Sequence, residues 1–365
     1  MTERPLSAIV LAAGHGTRMR STRPKPVHLL VGRPLVRHVL DALTGCDVVK
    51  VVVVVGHGAE EVTKKLQEAP GPFSVEFVEQ ATQRGTGDAV GVGLTGIPDD
   101  DLEGDDGDVV VLPGDHPLLR PETVSALVAE HRLSGAACVV LTARPDDPSG
   151  YGRVVRDKDG RVRRIVEHRD ATEDEREIDE INTSIYVFRR SLLAPALRRL
   201  TTDNSQGELY LTDVIEVLAS AGHQVLGVEA EDIEETNGVN DRAQLAAAET
   251  ELRRRINEAW MRAGVTIVDP ATTYVDADVD LGVDVTLWPG TVLAGRTVVG
   301  EAAEIGPMSH LIDTRVGAGA EVRHSCADQA DIGDDAIVGP FAVLTPGQRI
   351  HRGVRTGPFY SADET

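Results

Sequence analysis

The 365-residue sequence is poor in cysteine and in aromatic residues, and it has no long apolar run. Its three cysteines, Cys46, Cys138 and Cys326, are far apart and lack CxxC spacing, which favours free thiols over disulfides or a zinc site. Because no stretch of about 18 apolar residues occurs, we expect no membrane span. The N-terminus has no apolar signal segment, so we expect a cytoplasmic protein.

Positive charge is also scarce. The sequence carries 59 Asp and Glu against 37 Lys and Arg, for a net charge of −22 at pH 7. A surface this acidic repels nucleic acid and anionic lipid, so we expect neither as a partner. An anionic substrate must then be met by cations placed locally in its site. The 41% of hydrophobic residues is enough for a well-buried core, and the length indicates two domains or one domain with an appendage.

Apolar runs alternate with helical patterns over the first part of the chain. We expect strands at 8–13, 48–56, 75–80, 109–115, 137–143 and 184–189. A helical pattern lies at 121–133, and the leucines and valines of 35–43 share one helix face. This alternation predicts an α/β fold with a mostly parallel sheet covered on both faces. Such sheets bind ligands beyond the carboxyl ends of their strands, so Gly14, Gly56 and Gly114 should line the site.

The acidic stretch at 99–106 has a calcium-binding alternative. An EF-hand register that starts at Asp99 places Gly104 correctly, but its twelfth position is Val110, inside a predicted strand. We therefore predict a solvated loop.

The last third of the sequence has a different period. Residues 242–263 are rich in Ala, Leu and Arg and predict a connecting helix. Beyond it, apolar residues or threonines recur about every six positions at Val279, Val285, Thr291, Thr297, Val299, Ile305, Leu311, Val316, Val322, Ile332, Val338, Leu344 and Ile350. Hexapeptide periodicity predicts a parallel β-helix, here of about four coils. We expect an α/β domain at 1–241, a linker helix at 242–263, a β-helix at 264–355 and a tail at 356–365.

The stretch LAAGHGTRMRSTRPKPVHLL at 11–30 includes the end of the first strand and the loop after it. A dinucleotide-binding fingerprint needs a third glycine where Met19 stands, and the Gly-Lys-Ser/Thr of a P-loop is absent. Backbone N–H groups of the glycine turn can instead face a triphosphate, with Arg18 and Lys25 adding positive charge. This predicts a triphosphate-binding loop in which Arg18 and Lys25 are the catalytic cations.

Eight segments spread along the chain resemble the sugar-1-phosphate nucleotidyltransferases, and within them the bacterial N-acetylglucosamine-1-phosphate uridylyltransferases. They are LAAGHGTRM (11–19), QRGTGDA (83–89), GDHPLL (114–119), DDPSGYGRV (146–154), IVEHRDAT (165–172), EINTSIYVF (180–188), ELYLTDVI (208–215) and GVNDR (238–242). The family enzyme is bifunctional, with an N-terminal uridylyltransferase and a C-terminal left-handed β-helix that acetylates glucosamine-1-phosphate. The resemblance implies a Rossmann-like nucleotidyltransferase domain followed by a short left-handed parallel β-helix. It also implies Mg²⁺-dependent transfer of UMP from UTP to N-acetylglucosamine-1-phosphate, giving UDP-N-acetylglucosamine and pyrophosphate.

The resemblance also implies roles for individual residues. It assigns the nucleotide to Leu11, Ala12, Ala13, Gly14, Gln80, Gly85, Thr86, Pro113 and Gly114. It assigns the sugar phosphate to Gly152, Glu167, Asn182, Tyr210 and Thr212. It assigns the metal to Asp115 and Asn240. One carboxylate and one amide oxygen suit Mg²⁺, which keeps water and phosphate oxygens in the rest of its coordination shell. His15, His57 and His116 have no ligand-spaced partner, so we expect them to line the cleft as loop residues.

Two departures from the family pattern leave the substrates open. Pro26 replaces an aliphatic residue, and Pro-Lys-Pro is more usual in guanylyl- and other nucleotidyltransferases. Ser184 occupies a position beside the sugar pocket that is often glycine. The alternatives are a transferase for a different sugar-1-phosphate or nucleotide, or a catalytically silent regulatory homologue. Retention of both cations and both metal ligands disfavours the silent homologue.

A third departure concerns acetyl transfer. Thr345 stands where the family has an arginine that binds the acceptor's phosphate, and the chain stops at Thr365, well before the family's β-helix ends. We therefore expect no acetyltransferase activity. Because family β-helices trimerise, we expect this one to support a homotrimer.

Overall fold

The computed structural model describes residues 4–68, 71–97 and 107–361. The acidic stretch at 99–106 lies outside these residues, so its prediction as a loop is not tested. The chain forms two compact units: residues up to His28 with Pro34–Gln244, and Leu29–Arg33 with residues from Leu245 onward. None of the helices in the described ranges has the length and apolar character needed to cross a bilayer.

The chain up to residue 262 contains the helices and the longer strands. The strands are β1 (Leu6–Ala12), β2 (Leu29–Leu30), β3 (Arg33–Pro34), β4 (Val48–Val55), β5 (Val75–Glu79), β6 (Asp108–Pro113), β7 (Cys138–Ala143), β8 (Arg153–Arg156), β9 (Val162–Val166), β10 (Ile181–Arg189) and β11 (Val225–Glu229). The α-helices are α1 (Leu35–Asp41), α2 (Ala59–Glu68), α3 (Thr86–Leu94), α4 (Pro121–Ser134), α5 (Glu173–Arg176), α6 (Arg190–Leu197), α7 (Asp213–Ser220) and α8 (Arg242–Arg262). Short 3-10 helices lie at Thr17–Met19, Lys25–Val27 and Ile233–Thr236.

The first unit is built on a nine-stranded sheet. Its main order is β11-β7-β10-β6-β1-β4-β5, and the β8–β9 hairpin pairs with β10. Along the main order, neighbouring strands are parallel except at β10, which runs antiparallel to both β6 and β7. The predicted mostly parallel sheet is thus confirmed, and its carboxyl edge contains the ends of the parallel strands and the start of β10.

Both faces of this sheet are buried under helices. Strand β4 reads VVKVVVVV, and its last five residues are all buried, as expected of a strand covered on both sides. Alternate residues of β1 enter different cores. Ala8 and Val10 pack with residues of α1, α2 and α4, whereas Ile9 packs with residues of α3, α6 and α7. Side-chain alternation along each strand therefore builds two hydrophobic layers around one sheet.

The second unit contains a three-sided parallel β-helix. Its strands are β12 (Thr266–Ile267), β13 (Tyr274–Val275), β14 (Asp280–Leu281), β15 (Thr286–Leu287), β16 (Val292–Ala294), β17 (Val298–Val299), β18 (Glu304–Ile305), β19 (His310–Ile312), β20 (Arg315–Val316), β21 (Glu321–Val322), β22 (Cys326–Asp328), β23 (Asp331–Ile332), β24 (Ile337–Val338), β25 (Val343–Leu344) and β26 (Arg349–Ile350). Every third strand pairs in parallel, giving the sheets β12-β15-β18-β21-β24, β13-β16-β19-β22-β25 and β14-β17-β20-β23-β26. The predicted fold class, a Rossmann-like domain followed by a short left-handed parallel β-helix, is confirmed.

The β-helix has five strands in each sheet, so the prediction of about four coils was too low. The predicted bounds of 264–355 include the first coil, from β12 to β14, although the six-residue pattern begins only at Val279. Each later coil places one strand residue per side inside, such as Leu287, Leu293 and Val299, all at most 1% exposed. The spacing shortens to five between Leu311 and Val316 without loss of parallel pairing. A one-residue deletion at a corner is therefore accommodated.

Candidate active site

The glycines that end the parallel strands allow close contact between neighbouring strand ends. The Gly114 N–H donates to the carbonyl of Leu11 at 2.8 Å, and a Cβ on Gly114 would lie 2.8 Å from that same oxygen. A Cβ on Gly56 would lie 2.7 Å from the carbonyl oxygen of Ala13. No larger residue fits at either place without backbone movement. As the sequence predicts, the ends of β1, β4 and β6 meet at the carboxyl edge, and the predicted nucleotide-binding residues of β1 and β6 (Leu11, Ala12, Ala13, Pro113 and Gly114) lie there.

The loop after β1 turns tightly and leaves backbone accessible. A Cβ placed on Gly14 would meet nothing within 4 Å, so the space beside this backbone is open. Gly16 has φ +58°, a left-handed conformation that favours glycine, and it opens the 3-10 helix at Thr17–Met19. The side chain of Met19 is buried, where a dinucleotide fold would need glycine. The loop thus has the room and the backbone donors that a triphosphate requires.

Four predicted residues from three distant segments converge beside this loop. Arg18 donates to the Asn240 amide oxygen at 2.9 Å, and Lys25 Nζ donates to the same oxygen at 2.8 Å. Lys25 also forms an ion pair with Asp115. The Val239 N–H donates to the Asp115 carbonyl at 2.8 Å, which aligns GVNDR with GDHPLL. The structure therefore brings both predicted cations and both predicted metal ligands together.

Asp115 is held as a carboxylate by its neighbours. Burial alone would raise the pKa of Asp115, but the hydrogen bond and charge of His116 and those of Lys25 outweigh it and hold that pKa well below its ordinary value. His116 Nδ1 lies 2.9 Å from Asp115 Oδ1. His116 packs against Gly238, where a Cβ would approach its ring to 3.0 Å. This role of His116 was not predicted, and the signal for it was the position of His116 directly after Asp115.

The donor atoms of this cluster suit a magnesium ion. Asp115 supplies carboxylate oxygens and Asn240 an amide oxygen, which are hard ligands of the kind Mg²⁺ prefers. The Lys25 ammonium contacts both side chains and stands in for a cation at that point. Across the three described ranges, no group of three or more His, Cys, Asp or Glu could hold a metal ion by itself. The sparse pair fits a metal whose remaining ligands are water and phosphate oxygens.

Gln80 follows β5 and is buried with its amide in a defined orientation. Its backbone N–H donates to the carbonyl of Val55 at 2.8 Å. Its side-chain nitrogen donates to Asp88 Oδ2 at 2.7 Å and to the Gly85 carbonyl at 3.3 Å. Both partners are acceptors, so the nitrogen must face them and the amide oxygen must face the other way. Asp88 was not singled out from the sequence, because its separation of eight residues from Gln80 matches no local motif.

Gly85 and Thr86 join the predicted nucleotide segment to the predicted sugar segment. Gly85 has φ +112°, and a Cβ there would lie 2.5 Å from the carbonyl oxygen of Leu209. The Leu211 N–H donates to Thr86 Oγ1 at 3.0 Å, and the Gly87 N–H donates to the Leu209 carbonyl at 2.8 Å. The segment ELYLTDVI is thereby fixed against the start of α3.

Two of the predicted sugar residues, buried Thr212 and partly buried Glu167, form a hydrogen-bonded pair. Thr212 Oγ1 donates to Glu167 Oε1 at 3.0 Å. Burial raises the pKa of Glu167, and the Thr212 hydrogen bond offsets part of that rise, to which the negative charges of Asp213, Asp170 and Glu208 add. A partly desolvated carboxyl of this kind is a strong acceptor for a ligand hydroxyl.

Tyr210 lies beside this pair with its hydroxyl bonded on both sides. Tyr210 donates to Asp170 Oδ2 at 3.4 Å and accepts from Gln206 Nε2 at 2.8 Å. Neither Asp170 nor Gln206 was predicted as a site residue. Asp170 lies within IVEHRDAT, which was noted, and Gln206 lies in a loop that carries no motif.

Asn182 and Gly152 meet where β10 begins. The Asn182 N–H donates to the Gly152 carbonyl at 2.9 Å. Ser184 has φ +63°, and its N–H donates to Asn182 Oδ1 at 3.0 Å, within a register irregularity between Asn182 and Tyr186. This bulge explains why glycine suits position 184, and it fixes the Asn182 amide. Burial raises the pKa of Tyr151, and the negative charge of Asp115, a predicted metal ligand, adds to that rise.

Pro26 has a structural explanation that is independent of the nucleotide. It is the second residue of the 3-10 helix Lys25–Val27, and it is buried. The hydrogen bonds of this turn are donated by Val27 to Pro24 and by His28 to Lys25, so none is lost when residue 26 has no N–H. The turn therefore accommodates proline at position 26 without loss of a backbone hydrogen bond.

Comparison with known proteins agrees with this architecture. The MobA-like NTP transferase domain matches residues 8–220, which makes the chain a nucleotidyltransferase. The Bifunctional protein GlmU of Streptomyces avermitilis is 49% identical over 358 residues, covering 98% of this chain and 73% of that protein. The proteins of the same name from Corynebacterium jeikeium and a Geobacillus species are 46% and 45% identical, over 98% and 96% of this chain and 72% and 74% of their own lengths. The chain belongs to the GlmU family, and the predicted resemblance is confirmed.

Proposed function

We propose that this nucleotidyltransferase transfers UMP from UTP to N-acetylglucosamine-1-phosphate, with Mg²⁺, giving UDP-N-acetylglucosamine and pyrophosphate. The observation that carries the proposal is the convergence of Arg18, Lys25, Asp115 and Asn240 beside the open backbone at Gly14. These residues supply positive charge, metal ligands and backbone donors at one point of an otherwise acidic protein.

The chemistry needs no nucleophilic side chain. A phosphate oxygen of the sugar-1-phosphate is already anionic and attacks the α-phosphorus of UTP in line. The new bond joins that oxygen to the α-phosphorus, and the bond from the α-phosphorus to the bridging oxygen breaks as pyrophosphate leaves. Arg18 and Lys25 bind the triphosphate oxygens and offset their charge, so that catalysis rests on positioning and electrostatics.

Asp115 and Asn240 are the residues that would hold the magnesium ion. When bound, the ion supplies Lewis-acid stabilisation of the phosphate oxygens. His116 contacts Asp115 Oδ1, whereas Lys25 contacts Oδ2, and His116 thereby orients the carboxylate.

The orientation of Gln80 supports a uracil base. With its nitrogen donating to Asp88 and Gly85, the side chain presents its oxygen as an acceptor. Uracil offers an imide N–H to such an acceptor, whereas cytosine offers a lone pair at the same position. Gln80 therefore selects UTP over CTP, and Asp88 keeps it in that orientation.

The sugar end of the site supports an acceptor with several hydroxyl groups and an amide. The Glu167 carboxyl accepts from sugar hydroxyls, and Asn182 can both donate and accept. Gly152 lets the side chain of Ile165 pack against the backbone beside Asn182, since a Cβ there would lie 3.1 Å from Ile165 Cγ2. Tyr210 and Thr212 complete the pocket by holding the neighbouring carboxylates in place.

The test is a pyrophosphate-release assay with Mg²⁺ that crosses the four ribonucleoside triphosphates and dTTP with a panel of sugar-1-phosphates. We expect the highest kcat/KM for UTP with N-acetylglucosamine-1-phosphate. Turnover with dTTP or GTP but not with UTP would refute the base, and preference for another sugar would refute the acceptor. Absence of turnover with every pair would identify a silent homologue.

Two further predictions from the sequence belong to this proposal. Thr345 in place of the family's arginine predicts that glucosamine-1-phosphate causes no acetyl-CoA consumption, and measurable consumption would refute it. The β-helix predicts a homotrimer, whose mass by light scattering would be three times the 39.0 kDa of one chain. A monomer mass would refute the trimer without affecting the uridylyltransferase proposal.

A further inference from the structure

The two catalytic cations contact the same atoms that are proposed to hold the metal. Lys25 Nζ forms an ion pair with Asp115 Oδ2 and donates to Asn240 Oδ1 at 2.8 Å. Arg18 donates to the same amide oxygen at 2.9 Å. The second carboxylate oxygen of Asp115 pairs with His116. The oxygens that would bind a divalent cation therefore already have partners, two of them cationic.

These contacts oppose the entry of a bare divalent cation. Such an ion must take Asp115 and Asn240 from Lys25 and must also approach two fixed positive charges. The Lys25 side chain is 13% exposed and the Asp115 side chain 24% exposed, so water screens the repulsion by Lys25 poorly. The Lys25 stem packs against the glycine turn, since a Cβ on Gly16 would lie 2.7 Å from Lys25 Cβ. The backbone of the loop thus directs the ammonium group to the cation site.

A triphosphate reverses this balance. The open backbone at Gly14 belongs to the same loop as Arg18 and Lys25, so phosphate oxygens bound there offer both side chains new anionic partners. The oxygens of Asp115 and Asn240 then become available to a divalent cation, which the phosphate oxygens also attract. Binding of metal and of triphosphate is therefore coupled, and each must strengthen the other by the same factor.

We propose that Lys25, assisted by Arg18, occupies the cation site of the nucleotide-free protein, and that a divalent cation enters this site only together with a triphosphate. Lys25 then has two roles in sequence. In the nucleotide-free protein it keeps free metal ions out of the cation site, and after a triphosphate binds it contacts the phosphate oxygens. The inference rests on the proposed function for the location of the metal site. It adds a claim about metal binding without nucleotide, which the proposed function does not make.

The test is a titration of the full chain with Mn²⁺ in the absence of nucleotide. Electron paramagnetic resonance measures the free ion at each step. Lys25→Met should raise the affinity for Mn²⁺ at least about tenfold, since an opposing charge and a competing donor are both removed. Arg18→Met, which removes only one donor to Asn240, should raise it less. The control Lys64→Met removes a lysine whose side chain is 71% exposed, and it should bind Mn²⁺ as the wild type does.

Unchanged or weaker Mn²⁺ binding by folded Lys25→Met would overturn the inference. Circular dichroism establishes folding, and Lys25→Gln replaces Lys25→Met in the same titration if the methionine variant is unfolded. Adding Asp115→Asn to Lys25→Met should remove the gained affinity. Tight Mn²⁺ binding that survives in this double variant would place the ion elsewhere and would also overturn the inference.

A different measurement tests the proposed function. That proposal fails if the wild-type protein releases no pyrophosphate from any substrate pair. A wild-type protein that turns over UTP, together with a Lys25→Met variant that gains no affinity for Mn²⁺, would overturn the present inference alone.

Discussion

The buried polar groups inside the β-helix and the polar groups at the carboxyl edge of the α/β sheet have different partners. Inside the β-helix, Thr291, Thr297 and Ser325 donate to backbone carbonyls two or three residues before them, at 2.6, 2.8 and 2.7 Å. At the carboxyl edge, side chains bond to one another across the sequence, as Arg18 does to Asn240 over 222 residues. The hydroxyl groups of the β-helix have backbone partners and need no ligand. The charged side chains at the carboxyl edge can exchange their present partners for those of a substrate. The comparison therefore separates a region built for stability from one built for binding.

The largest expected effect is at the metal ligand. Asp115→Ala should lower kcat by at least about a thousandfold. It removes the carboxylate proposed to hold the metal ion, whose charge stabilises the transition state by several kcal/mol. Pyrophosphate release measures the rate, and circular dichroism should show an unchanged fold. The matched control is Asp313→Ala in the β-helix, whose carboxylate accepts from the Arg296 N–H at 2.8 Å. It should cost about 1 kcal/mol of stability and leave kcat unchanged. Near-normal turnover by Asp115→Ala would contradict the assigned metal site.

A core substitution in the β-helix should have the opposite profile. Ile305 is fully buried, so Ile305→Ala should destabilise the β-helix by about 2–5 kcal/mol with no change in kcat below the unfolding transition. Thermal and urea unfolding measure the first quantity and pyrophosphate release the second. Val343 is 50% exposed on a neighbouring sheet, and Val343→Ala should cost less than about 0.5 kcal/mol. Equal losses in the two variants would contradict the assigned core.

The preference for UTP over CTP should depend on Asp88, and this dependence should not arise from a change in protein stability. Asp88→Ala removes the acceptor that orients the Gln80 amide, so the preference for UTP over CTP, as a ratio of kcat/KM values, should fall about tenfold. Asp88→Asn keeps an acceptor and should retain most of the preference. The ratio is insensitive to helix stability, which Asp88 also affects as an acidic residue in the first turn of α3. An unchanged ratio in Asp88→Ala would refute the role of Gln80 orientation.

Glu167 should make stability depend on pH. Because the pKa of Glu167 is raised on folding, its favourable contribution is complete below the unfolded glutamate pKa of about 4.3 and is lost as pH rises through the folded value. Glu167→Gln should therefore gain thermal stability relative to wild type between acidic pH and pH 8, while its KM for the sugar phosphate rises. Melting temperatures across this range measure the first effect. A difference between variant and wild type that does not vary with pH would contradict the raised pKa.

The smallest effect concerns the β10 bulge. Ser184→Gly should relieve the left-handed backbone strain at φ +63° and stabilise the protein by up to about 1 kcal/mol. Ser220→Gly, at the last residue of α7, should destabilise it by about 0.5 kcal/mol instead, because glycine disfavours helix. Urea unfolding of both variants gives the two signs. Destabilisation by Ser184→Gly would mean that the serine side chain stabilises the bulge.

The elements of the fold were largely predictable because their patterns are local. Valine-rich runs gave β4 and β6 to within one or two residues, and the six-residue period gave the β-helix. The antiparallel direction of β10 was not predictable, since a run of apolar residues has no direction. Hydrophobic periodicity specifies burial, whereas strand direction and pairing depend on tertiary contacts.

The candidate site was predictable as a set of residues but not as a set of contacts. Arg18, Lys25, Asp115 and Asn240 follow from motifs, and the structure brings them together. That Lys25 contacts both proposed metal ligands could not be read from spacing, because it depends on how GVNDR aligns with GDHPLL. The role of Asp88 was hidden for the same reason. Side-chain orientation is decided by partners that are distant in sequence, and those partners appear only in the folded chain.

The most direct test of the central claim is phosphorus NMR of one reaction mixture containing the protein, UTP, N-acetylglucosamine-1-phosphate and Mg²⁺. We predict that the resonances of UTP and the sugar phosphate disappear together while those of pyrophosphate and a nucleotide-linked sugar diphosphate appear, and that a metal chelator stops the change. Spectra that stay constant, or UTP that is consumed without loss of the sugar phosphate, would contradict the account.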